Sequence, residues 1–77
     1  MTRFTVSVGD DPEHEDLTAE IYYDDAYVAM VSQEAGFDNA IIEIQPGPDL
    51  GRWSFPMSEF IQALDHARQR LWELRRS

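Results

Sequence analysis

Hydrophobic residues change their period once along this chain, and that change dictates what it can fold into. Up to Ile44 they mostly alternate with polar residues at every second position; from Met57 they recur at every third or fourth. Between the two regimes lies Pro46-Gly47-Pro48-Asp49-Leu50-Gly51, where two prolines and two glycines in six residues forbid regular structure. Strands followed by one helix are therefore expected.

The strands can be placed one by one. Phe4, Val6 and Val8 alternate with Thr5 and Ser7, predicting a strand over 3–8. Gly9-Asp10-Asp11-Pro12 ends it and opens an acidic loop running to Asp16. Leu17, Ala19, Ile21 and Tyr23 predict a second strand over 17–23, and the Val- and Tyr-rich run 26–33 a third. With Asp24 and Asp25 as the loop of a hairpin, Tyr22 opposes Tyr27 and Ile21 opposes Val28. One face then collects Leu17, Ala19, Ile21, Tyr23, Ala26, Val28 and Met30. The other collects Thr18, Glu20, Tyr22, Tyr27, Ala29, Val31 and Gln33. Asp-Asp is not a preferred two-residue turn, so a longer loop is the alternative. Glu34 to Asn39 reads as a turn with Gly36 at positive φ, and 40–45 as a fourth strand. Arg52-Trp53-Ser54-Phe55 is a candidate fifth edge strand, dropping Trp53 and Phe55 onto the core.

A helix is expected over 56–75. Met57, Phe60, Ile61, Leu64, Ala67, Leu71 and Leu74 form a wide apolar stripe. Pro56 suits the first helical position, Glu59 the positive end of the dipole, and Arg68, Arg70, Arg75 and Arg76 the negative end. Phe60, Ile61, Leu64 and Leu71 should pack on the apolar sheet face. The fold class is thus α+β: a four- to five-stranded, mainly antiparallel sheet with one C-terminal helix on one face, in a single domain spanning 1–77.

Composition narrows the function classes. At 77 residues the core is thin, burying roughly 60% of the unfolded chain's surface. With no cysteine, neither a disulfide nor a Cys-ligated metal can reinforce it. A net charge of −9 argues against nucleic acid or an anionic membrane as partner. Residues 1–49 hold 12 acids and one base, and residues 50–77 three acids and five bases, so the excess belongs to the strands and turns. The N-terminus shows no apolar secretory segment and no run is long enough to span a bilayer, which makes the cytoplasm the expected compartment.

Candidate chemistry is sparse. In the loop Asp10-Asp11-Pro12-Glu13-His14-Glu15-Asp16, carboxylates fall at alternate positions. The required glycine is missing, however, and Tyr22 stands where a calcium loop needs its closing Glu. His14 and His66 sit in no metal-binding spacing. No serine lies in a nucleophile motif, and the Pro46–Gly51 segment lacks the lysine of a phosphate loop. No metal, no cofactor and no enzymatic activity are expected. What remains is the polar sheet face, with Glu20, Tyr22, Tyr27, Val31, Ile41 and Glu43, and with Asp24, Asp25, Glu34 and Asp38 at its turns. Tyrosines anchor interfaces, and acids around them steer a basic partner. The candidate partner-binding residues are Glu20, Tyr22, Asp24, Asp25, Tyr27, Glu34, Asp38 and Glu43. The plainer alternative is a solvated face with a stabilising Tyr22–Tyr27 cross-strand pair.

The pattern also resembles a family. Ala19-Glu20-Ile21-Tyr22-Tyr23, Val31-Ser32-Gln33-Glu34, Ile41-Ile42-Glu43-Ile44, Trp53-Ser54-Phe55-Pro56 and the segment Phe60 to Ala67 look like the small acidic immunity proteins encoded beside bacterial polymorphic or contact-dependent toxins. The resemblance implies a cytoplasmic single-domain inhibitor of one cognate toxin domain, often a nuclease, whose active site or substrate groove it blocks. It assigns no individual residue a role. Antitoxins of toxin–antitoxin pairs and phage-encoded inhibitors share this size and charge. A structural or regulatory module that self-associates, as a homodimer for example, is the alternative from another class.

Overall fold

The computed structural model describes residues 2–10, 12, 16–33 and 36–74. Four strands, β1 (Phe4–Gly9), β2 (Thr18–Tyr23), β3 (Ala26–Ser32) and β4 (Ile41–Ile44), precede one helix, α1 (Met57–Leu74). The sheet is an antiparallel meander in the order β1-β2-β3-β4. Each strand thus pairs with its neighbour in sequence. The helix lies on one side, against β1 and β2. This is the α+β architecture read from the periodicity.

The β2–β3 hairpin turns through two residues, with Asp24 at φ 51° and Asp25 at φ 68°. Positive φ at both centres is the signature of the type I′ turn, whose twist matches the flanking strands. Asp tolerates this conformation better than most side chains, so Asp-Asp can stand in for Asn-Gly. The expected pairing holds next to the turn, where Tyr23 opposes Ala26 and Tyr22 opposes Tyr27. It then shifts by one: Ile21 opposes Ala29, Glu20 opposes Met30 and Ala19 opposes Val31. Val28 is the extra residue of a β-bulge.

The bulge overturns the expected faces of β3. Beyond it, Ala29 and Val31 share the face of Ala19 and Ile21, the side of the helix, while Met30 shares the face of Glu20. Gln33 follows the same inversion: it is buried, and its Nε2 donates to the Leu71 carbonyl at 3.4 Å. That carbonyl is one of the last four of α1, which have no partner within the helix.

The core lies between sheet and helix. Phe4, Ala19, Ile21, Val28, Ala29 and Val31 meet Ala63, Ala67 and Leu71. Alanines on both sides let the helix approach closely. Ile61 does not join them: expected to pack on the sheet, it is exposed, while Phe60 and Leu64 are partly buried. The reason is the helix's position over β1 and β2, which centres its contact on the 63-67-71 row and turns position 61 aside.

No fifth strand forms over 52–55. The segment after β4 makes isolated bridges, Gly47 with Gly51 and Asp49 with Arg52, and then runs without regular structure to Pro56. A Cβ at Gly47 would collide with the Arg52 carbonyl, so glycine is required there. Trp53 and Phe55 do reach the core as expected. The Trp53 indole donates to the Gln45 carbonyl at 2.8 Å, and Phe55 packs at centroid distances of 4.9 Å from Phe4 and 4.8 Å from Tyr23. The helix starts one residue later than expected, with the Pro56 carbonyl accepting from the Phe60 amide at 3.1 Å.

Candidate functional site

One side of the sheet carries the helix; on the other, no helix or strand among the described residues packs. The register assigns this open face row by row. Thr5, Tyr22 and Tyr27 form one row; Ser7, Glu20, Met30 and Glu43 the next; Gly9, Thr18, Ser32 and Ile41 the last. Glu20, Tyr22, Tyr27 and Glu43 are therefore brought together as the alternation predicted. Val31, expected here, faces the core, and Met30, expected on the helix side, lies on this side instead, where it is buried all the same.

The two tyrosines form the row of this face nearest the β2–β3 turn. Their ring centroids stand 5.6 Å apart at an interplanar angle of 37°, an offset cross-strand pair. The Tyr22 hydroxyl donates to the Glu20 carboxylate at 3.3 Å. Tyr22 is held above its ordinary pKa of 10.0, first by partial burial and then by the charge and hydrogen bond of Glu20. The phenol therefore stays neutral through the physiological range, acting as a donor and an amphipathic contact surface.

The turn acids divide. Asp24 is clamped by Arg3, whose Nε donates to Oδ1 at 2.8 Å and whose Nη2 reaches Oδ2. The same guanidinium lies 4.8 Å from the Tyr23 ring centroid. Asp38 pairs with Arg68 of the helix at 3.8 Å. Both carboxylates thus serve contacts within the chain. Asp25 is exposed at the hairpin tip. Glu34 lies outside the described residues.

Two concavities border the helix side. One, of about 540 Å³, lies where the β2–β3 turn meets the segment after β4; Tyr23, Trp53 and Phe55 form its apolar wall, and Asp49 and Arg52 its polar rim. The other, of about 460 Å³, lies between β1 and the helix, with Phe4, Val6, Gln62 and His66 among its lining. No group of three or more metal-ligating side chains occurs among the described residues. His14 and most of the acidic loop fall outside the described residues. No described helix is long and apolar enough to cross a membrane.

Sequence reasoning missed Met30 as part of the open face. The run from Val28 to Val31 is apolar throughout, so it has no period in which an extra residue would show. No protein-family model, curated protein or solved structure matches this chain.

Proposed function

We propose that this protein is a non-enzymatic inhibitor that binds a basic protein through its open sheet face, in the manner of an immunity protein neutralising a nuclease-type toxin domain. One observation carries the reading: the face opposite the helix carries the Tyr22–Tyr27 pair in one row and Glu20 and Glu43 in the adjacent row, with no helix or strand among the described residues covering them. Rigid tyrosines supply contact area at small entropic cost, and the carboxylates occupy positions that nucleic-acid phosphates would take on a basic toxin. The excess of acids in residues 1–49 extends the attraction beyond contact range.

Co-expression with a toxin domain encoded by a neighbouring gene, which this reading requires, tests it. Restored growth and a co-purifying complex are expected; continued growth arrest without a complex would overturn the proposal. Within the complex, Tyr22→Ala should cost about 2 kcal/mol of affinity, as an aromatic anchor does. Charge reversal of Glu20 and Glu43 to lysine should slow association about tenfold, with a weaker dependence on salt.

A further inference from the structure

The edge strand β4 carries features that the open face does not account for. All of its residues are exposed, with Ile41 at 52%, Ile42 at 40% and Ile44 at 58% of their full accessibility. Ile42 and Ile44 belong to the helix side of the sheet, opposite Val31 and Ala29, yet α1 lies over β1 and β2 and leaves them bare. The backbone is open at the same positions. Gln45 donates its amide to the Val28 carbonyl at 2.7 Å, so the alternation of an antiparallel ladder turns positions 41, 43 and 45 toward β3. The N–H and C=O groups of Ile42 and Ile44 therefore point outward. Edge strands are commonly guarded by lysine, proline or a covering element; β4 has neither residue, and Glu43 is its one charge.

We propose that β4 accepts an extended segment of the partner protein as an added strand, one in which apolar and basic residues alternate. Apolar side chains of that segment would lie beside Ile42 and Ile44 on the helix side. Its basic side chains would lie on the open side, opposite Glu43, whose row continues inward through Met30 to Glu20. Main-chain hydrogen bonds supply affinity in such additions, and alternate side chains supply specificity. A second copy of this chain fits less well. The register that sets Ile42 against Ile44 places two Glu43 carboxylates face to face, between molecules each carrying a charge of −9.

The inference rests on the partner-binding reading, and the two can fail separately. The test titrates the isotope-labelled full chain with a short synthetic peptide alternating isoleucine and arginine, and with a control alternating isoleucine and glutamate. Shift changes and slowed amide exchange at Ile42 and Ile44 are expected with the basic peptide, which should bind about fivefold or more tightly than the control. Glu43→Lys should invert that preference. Ile44→Pro removes an outward N–H without removing a β3–β4 hydrogen bond, and should abolish binding. A footprint away from β4, an unchanged preference in Glu43→Lys, or a dimer by light scattering that blocks the peptide would overturn strand addition. Growth rescue that survives Ile44→Pro would keep the partner-binding reading and remove this one. Absence of rescue by the unaltered chain would remove the functional reading, leaving the peptide titration to decide the edge.

Discussion

Leu50 shows how a single residue can carry a local cost. It sits at φ 55° with 88% of its surface exposed, followed by Gly51 at φ 80°. A leucine in the left-handed region is penalised by contact of its Cβ with the backbone, and here burial returns nothing. Leu50→Gly should therefore raise stability by about 1 kcal/mol, measured by denaturant unfolding. No gain would mean that the exposed side chain makes a compensating contact. Tyr22 offers a second residue-level test. Its raised folded pKa means the folded state holds the phenolic proton more tightly than the unfolded chain does. The stabilising contribution is complete below the ordinary value of 10.0 and is lost as pH rises from there through the folded pKa. Ultraviolet titration of tyrosinate should show Tyr22 ionising late, and Glu20→Gln should bring its midpoint down part of the way, leaving the larger contribution of burial.

At the scale of elements, the packing of α1 on the sheet depends on small residues as much as large ones. Leu71 is fully buried, and Leu71→Ala should cost about 2–5 kcal/mol through lost transfer energy and a cavity. Ala67 is equally buried but has no room to grow, so Ala67→Leu should cost about 1–3 kcal/mol by overpacking. Thermal unfolding of both variants checks the pair; tolerance of leucine at 67 would show that the helix can lift from the sheet. The element boundaries were legible because alternation and the helical stripe are both strong, and the Tyr22–Tyr27 pairing because it lies one pair away from the hairpin loop. The bulge at Val28 was not legible, since backbone pairing chose it within a featureless apolar run. That one residue decided which of Met30 and Val31 faces the open side. The pairing of Asp24 with Arg3 was equally hidden: it joins residues 21 apart that only the β1–β2 register brings together.

Over the whole molecule, charge acts in two opposed directions. The acids concentrated in residues 1–49 repel one another in the folded chain, so added salt should raise the unfolding midpoint by screening them. The same salt should slow association with a basic partner. Opposite salt slopes for stability and association rate are the expected outcome of denaturation and stopped-flow measurements. An association rate that does not fall with added salt would show that the acidic surface is not the one that meets the partner.

The docking of α1 on β1 and β2 has a consequence for the chain as it is synthesised. Every strand pairs with its neighbour in sequence, so the meander can zip as it emerges from the ribosome. Its apolar side, with Phe4, Ile21 and Val31, nevertheless stays uncovered until the residues of α1 follow. Such an interval invites nascent sheets to stick to one another. The half of the chain that waits is also the half with 12 acids and one base. Mutual repulsion would keep unfinished copies apart, giving the acidic excess a role in biogenesis before any partner is met.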